Sequence, residues 1–408
     1  MNPTSIAWAM IRRHPATTII FVVVIAVAVA LGIGISAQER SLREGSAMAA
    51  DRFDLLIAAP GNPTEIVFNT IFLRPSAVQL LDPDIVAKAL TDTRVDYAAP
   101  IGYGDNVQGL QVIGTISQFV DRLSGGLSEG RMFADPTEAV IGASVPFQIG
   151  QKVTPLHGSS AFEDADEAEE SEAEEGHHHY DLTIVGRMKP TGNPWDRAVI
   201  VPIETLWNAH GLPNGHAEGD TKIGPPFDPA RVPGLPAIVM KGKTVADMYG
   251  LRDEYKTPQS MAFFPAEVLL QIYDLVGNIR QVMSIMASVT QVLAFLSIFA
   301  GVVALMKLFE TQFAVIRALG ASRTYLFLSI WLFASIIVLS GVVLGVALGY
   351  GVAAFASRIL ARMSGVSLTA SIGPDEVWLA ISGGLIGIVL ATVPALLLYR
   401  RSVAAFLR

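Results

Sequence analysis

The side chains best suited to chemistry crowd one stretch, 163–179, where nine carboxylates precede His177, His178 and His179. No basic residue interrupts 163–175. Imidazole nitrogen beside carboxylate oxygen suits zinc or another soft or borderline divalent cation. The same composition also describes a solvated tether, because like charges repel and keep a chain extended. Three adjacent histidines reach one ion only if the loop wraps around it. Both readings of the loop 158–180 stand on sequence. His157, His210 and His216 add ligands only if the fold brings them close.

Other chemistry is poorly represented. Gly242-Lys243-Thr244 resembles the end of a phosphate-binding loop, but Ala237 stands where its first glycine must converge backbone N–H groups on the anion. Ser144 follows Gly142, yet Pro146 occupies the second glycine position of a nucleophile elbow. Catalysis is therefore not expected of this chain, and any nucleotide hydrolysis belongs to another.

The composition points to a membrane. Of the 408 residues, 51% are hydrophobic and 16% charged, against about 25% charged in soluble domains. There is no cysteine, so disulfides are excluded while an oxidising compartment is not. The net charge of −8 nearly equals the charge of 163–175, and nothing favours nucleic acid. Four stretches approach the ~20 apolar residues that span a bilayer: 16–35, 285–306, 325–355 and 377–399. The first exceeds a signal-peptide core and lacks a small-residue cleavage site, so it reads as an anchor.

Basic residues set the orientation. Arg12 and Arg13, then Lys307, Arg317 and Arg323, then Arg400, Arg401 and Arg408 share one side if the chain starts inside; Arg358 and Arg362 fall opposite. The predicted protein is integral to the membrane, with four transmembrane α-helices and a large extracytoplasmic α+β domain inserted between helices 1 and 2. Its segments are 1–37 (cytoplasmic start and helix 1), 38–264 (outside domain), 265–306 (stalk and helix 2), 307–324 (cytoplasmic hairpin), 325–356 (helix 3), 357–376 (outside loop) and 377–408 (helix 4 and basic tail).

Within 38–264 the runs 53–59, 110–116, 139–144, 182–188, 198–202 and 237–240 read as strands. The segments 63–72 and 82–90 read as helices, the second with Asp82 as N-cap and Pro83 at its first position. The absence of steady alternation suggests α+β. Leu269, Ile272, Val276, Ile279 and Met283 recur at three- and four-residue steps, predicting a stiff stalk above helix 2 or an amphipathic helix covering its own domain. Gly341, Gly345 and Gly349, and then Gly383 and Gly387, repeat every four residues, a spacing that lets membrane helices approach closely. No span has Asp, Glu or Lys at mid-depth, so a proton or ion relay is not expected.

The segment 307–327 is helix-sized and polar. Phe309, Phe313, Ile316 and Leu319 fall at helical spacing, either to fill a partner's groove or to rest on the bilayer interface. Arg317 can pair with an acidic rim, and Gly320 suits a helix end.

Arg317-Ala318-Leu319-Gly320-Ala321, in this inter-span loop, resembles the cytoplasmic loop of the FtsX-like ABC permeases, the group with the MacB and LolC/LolE types. Gln312 and Ala314 depart from that family's usual glutamate and glycine. The layout of one span, an outside domain and three further spans is also similar, and 182–202 looks like a strand–loop–strand of a MacB-like outside domain.

The resemblance implies a non-catalytic inner-membrane permease subunit with both termini cytoplasmic. It implies a cytoplasmic ABC ATPase dimer carrying ATP and Mg, with 307–324 as the coupling helix in its groove. It further implies a second permease chain, a homodimer, and a periplasmic adaptor or substrate protein. ATP-driven closure would move stalks and outside domains, exporting or extracting amphipathic or periplasmic cargo. The alternatives are a regulator of a cell-wall hydrolase and a metal-linked sensor.

The orientation is open to direct test. In intact cells a cysteine at Ser171→Cys is expected to react with an impermeant thiol reagent, and one at Ser322→Cys is not. Reversed labelling would overturn the topology.

Overall fold

The computed structural model describes residues 3–74, 76–157, 180–273, 320–393 and 396, with scattered positions between 281 and 316. The loop 158–179 and most of 285–306 and 397–408 lie outside the described residues. The chain divides into a unit of 1–42, 275–359 and 368–408 and a unit of 43–274 and 360–367. The division falls within two unbroken helices.

The first unit is helical. Helix α1, Pro3–Arg13, ends on Arg12 and Arg13, where cations favour the negative end of the helix dipole. Arg12 lies over the Trp8 ring, 5.4 Å from its centre. Helix α2, Pro15–Ala50, follows after a bend at His14. Its 36 residues reach about 54 Å at 1.5 Å per residue, well beyond the ~30 Å its apolar part must cross. The third span is longer again, Arg323–Ser364. These two helices are long and apolar enough to cross a membrane. Of the other two expected spans, the second lies mostly outside the described residues, and the fourth is seen as a 17-residue helix, Pro374–Leu390.

The expected glycine repeat sits in a tight seam. A Cβ on Gly341 would lie 2.6 Å from Ile25 Cβ, one on Gly345 2.7 Å from Val29 Cβ, and one on Gly349 2.8 Å from the Ala30 carbonyl. Ile25, Val29 and Ile33 are all buried. Four-residue steps on both helices bring branched side chains into the gaps left by glycines. Lipid is as apolar as these side chains, so close packing rather than water exclusion holds such helices together. Gly383 and Gly387 are buried on the fourth-span helix. Leu379 of that helix packs over Gly32 of α2. Ala7 and Met10 of α1 join an apolar cluster with Leu326, Ile330 and Phe333.

The second unit is α+β. Its elements are β1 (Leu55–Ala58), α3 (Pro63–Thr70), α4 (Pro83–Leu90), β2 (Val95–Val107), β3 (Leu110–Thr115), α5 (Ser117–Ser124), β4 (Leu127–Gly130), β5 (Glu138–Ile141), β6 (Lys152–Val153), β7 (Leu156–His157), β8 (Leu182–Met188), β9 (Val199–Pro202), α6 (Ile203–Ala209), β10 (Ala237–Gly242), α7 (Val245–Tyr255) and β11 (Met261–Phe263). Residues 265–273 are helical again. The third and fourth spans are α8 and α9.

The strand order is β11-β1-β10-β2-β3-β9-β5-β8-β4, with β6 beside β8 and β7 beside β2. Among the described strands only the pairs β3–β9 and β5–β8 are parallel. The six strands and two helices expected between 53 and 240 are all present. Asp82 accepts from the Asp84 N–H at 2.9 Å, the expected cap.

Strand β2 was not anticipated. It pairs with β10 through Val95–Ile101 and with β3 through Gly102–Val107, joining the two halves of the sheet. Pro100, Gly102 and Gly104 obscure it in the sequence, since proline and glycine usually interrupt strands. The glycines have a packing reason. Gly102 and Gly114 are register partners, and both lie under Ile203 and Leu206 of α6, which could not settle on a Cβ there. Phe53, Phe119 and Trp195 form an aromatic core, with ring centres 5.5–6.0 Å apart.

Candidate functional site

The hairpin between the second and third spans ends in a defined way. Gly320 has φ +96°, and the Ala321 N–H donates to the Ile316 carbonyl at 3.2 Å. A left-handed glycine with a bond reaching back five residues is a Schellman stop. Two residues on, the Tyr325 N–H donates to Ser322 Oγ at 3.2 Å, and the Leu326 N–H to the Ser322 carbonyl at 3.4 Å. Ser322 is thus the N-cap of α8. Gly-Ala-Ser is a minimal stop-and-restart, which gives a physical reason for those residue types. Ile316 packs against the apolar cluster of the spans. Phe309, Phe313, Arg317 and Leu319 lie outside the described residues.

In the stalk, Leu269 is buried and Ile272 half-buried; Val276, Ile279 and Met283 lie outside the described residues. The stalk base meets the last turns of α2, because the Tyr273 hydroxyl bonds Ser46 Oγ and donates to the Arg43 carbonyl at 3.4 Å. The helical segment 265–273 and the end of α2 are therefore joined within the α+β unit.

A second joint was missed in the sequence. The C-terminal end of α8 and its following turn, 360–367, are held by the loop 191–197. The Ser367 N–H donates to the Gly192 carbonyl at 2.8 Å. Arg197 Nη1 donates to the Arg362 carbonyl at 3.0 Å. Gly365, at φ +72°, lets its backbone lie on Pro194.

The loop itself is stiff. Asp196 accepts from the Thr191 N–H at 2.8 Å and the Gly192 N–H at 2.9 Å. Asn193 caps the Trp195 N–H at 3.0 Å. Trp195, fully buried, donates its ring N–H to the Thr70 carbonyl at 3.1 Å. Gly142 carries no Cβ because the backbone of Trp195 and Asp196 fills that space. Thr-Gly-Asn-Pro gave the turn signal, but nothing local pointed to residues 165 positions away.

His177, His178 and His179 lie outside the described residues. At the base of their loop, Tyr180 donates to Asp105 at 2.6 Å and His210 Nε2 stands 3.8 Å from the same carboxylate. His157 faces Asp105 across β2–β7. His216 lies elsewhere, its Nε2 3.2 Å from buried Glu204, which also accepts from the Gly224 N–H at 2.6 Å. Burial holds the Glu204 carboxyl above its ordinary range, and burial together with Asp105 raises the Tyr180 phenol. Among the described residues no three such side chains could hold a metal ion together. Thr244 caps α7 in a closed box with Asp247, and the Lys243 N–H and Nζ donate to the Arg94 and Thr93 carbonyls at 2.9 and 2.7 Å, so the donors of Gly242-Lys243-Thr244 are already engaged. The Ser144 N–H is bonded to the Asp196 carbonyl at 2.8 Å, in the same knot.

Truncating the knot is expected to be costly. Trp195→Ala should destabilise the purified chain by about 3–5 kcal/mol, the usual range for a buried aromatic. Denaturant unfolding checks this, and a loss below about 1 kcal/mol would show that the loop is not held by its core anchor.

Residues 284–404 match the family described as FtsX-like permease C-terminal. No curated protein matches the chain. The periplasmic region of MacB from Actinobacillus actinomycetemcomitans aligns at 12% identity over 54% of this chain and 92% of that one, with a TM-score of 0.31. The α+β assignment accordingly rests on the sheet itself. The resemblance first read from Arg317–Ala321 is borne out by this match: over 284–404 the chain is similar to the FtsX-like permeases.

Proposed function

We propose that this chain is the permease subunit of an ABC transporter working by mechanotransmission. A separate cytoplasmic ATPase dimer closes on ATP and Mg and pulls on the hairpin 307–324. The spans pass the movement to the outside domain, which exports or extracts amphipathic or periplasmic cargo. Two permease copies flank the ATPase dimer in the bacterial inner membrane, with the termini inside. A periplasmic adaptor or substrate protein meets the outside domain.

The family match over 284–404 carries this reading, because it covers the hairpin and the spans on either side of it. Three features support it. Asp, Glu, Lys, Arg and His are absent from 15–38 and from 324–357, so these spans offer no polar path for a solute. Helices α2 and α8 continue unbroken past their apolar parts, as levers must. Helix α8 starts within three residues of Gly320, so a displacement of the hairpin passes directly to α8.

The groove contact is testable at Phe313. Phe313→Asp would bury a charge at the interface, costing several kcal/mol. Each 1.4 kcal/mol is a factor of ten, so ATPase co-purification should fall by about two orders of magnitude while the permease still inserts. Wild-type association and hydrolysis in this variant would remove the hairpin from the coupling role.

A further inference from the structure

Where α2 leaves its apolar stretch, it carries a polar fork between two other helices. Arg40 lies five residues beyond the run 16–35, and Glu376 is the third residue of α9. Arg40 Nη1 donates to Glu376 Oε2 at 2.7 Å, and the other arm of the guanidinium donates to the Ser371 carbonyl. The Gly373 N–H donates to the same Glu376 oxygen at 2.8 Å. The Glu376 side chain is 1% exposed and that of Arg40 11%. Gly373 is not in a left-handed conformation; glycine stands there because a Cβ would overlap the guanidinium. On the α8 side, Ser41 Oγ and Ser357 Oγ are 3.3 Å apart, and Ser357 donates to Gln38 at 3.3 Å.

A buried ion pair is a poor source of net stability, since desolvation offsets most of the attraction. Apolar side chains would hold the helices as well. What the pair adds is alignment. A planar fork on a carboxylate and a carbonyl fits in one geometry, whereas Leu379 over Gly32 tolerates sliding. Glu376 is further tied to its own helix start, so the fork grips the end of α9 and not merely a mobile side chain.

We infer that Arg40 and Glu376 are positioning residues that fix α9 to α2 in a single register, so that the first and fourth spans move as one body. The source of the movement rests on the permease reading; the lock does not.

Hydrogen exchange on the full-length chain separates the two claims. Arg40→Ala is expected to speed exchange of the 373–377 amides at least tenfold and to leave 341–349 protected. Arg40→Lys keeps the charge without the fork and should recover only part of that protection. In the ATPase complex, Mg-ATP with vanadate should alter exchange at 192–197 and 366–367. Arg40→Ala should cut that response at least fivefold.

Unchanged exchange at 373–377 in Arg40→Ala would overturn the lock. Faster exchange there with a full nucleotide response would overturn the positioning role, leaving a structural contact. If the wild-type chain binds no ATPase, the permease reading fails, and the exchange at 373–377 still decides the lock.

Discussion

The helices of this protein are organised by one seam, in which Gly341, Gly345 and Gly349 of α8 receive Ile25, Val29 and the Ala30–Ile33 turn of α2. Within a bilayer, no water is expelled when two helices meet. The seam therefore depends on how closely backbones approach, and the glycines set that distance. Leu379 on Gly32 extends the same device to α9. The polar pairs at residues 38–41 then align helices that glycines alone would leave free to slide.

Because α2 and α8 are both far longer than a bilayer is thick, the seam has consequences outside it. Each helix is a single hydrogen-bonded rod, with its second end in the α+β unit. There Arg43 and Ser46 of α2 meet Tyr273 of the stalk base, and the end of α8 with its following turn, 360–367, is held by the Asp196 knot. Trp195 anchors that knot in the aromatic core with Phe53 and Phe119.

The parts legible in sequence were those with a short period. Glycines four apart lie on one helical face, and alternating or continuous apolar runs gave β1, β3, β5, β8, β9 and β10. The helix ends were less legible. A hydropathy reading stops at Ile35, but Gln38, Glu39, Arg40, Leu42 and Arg43 are ordinary helix formers and α2 runs on to Ala50. Strand β2 was hidden because Gly102 and Pro100 carry the local signs of a turn, and only the packing of α6 explains the glycine. The Arg40–Glu376 pair and the Arg197–Arg362 bond join residues 336 and 165 positions apart, and no local pattern announces such contacts. Asp196 looked like a loop residue and is one, but its loop is the joint.

The central claim is that ATP moves the outside domain without a solute path through the spans. The native chain has no cysteine, so one spin label at Val245→Cys, on an exposed position of α7, reports on the outside domain alone. In the assembled complex in lipid nanodiscs, dipolar spectroscopy between two copies should give one distance distribution with ADP and a shifted one with Mg-ATP and vanadate. An identical distribution in both states, while the ATPase still turns over ATP, would contradict mechanotransmission.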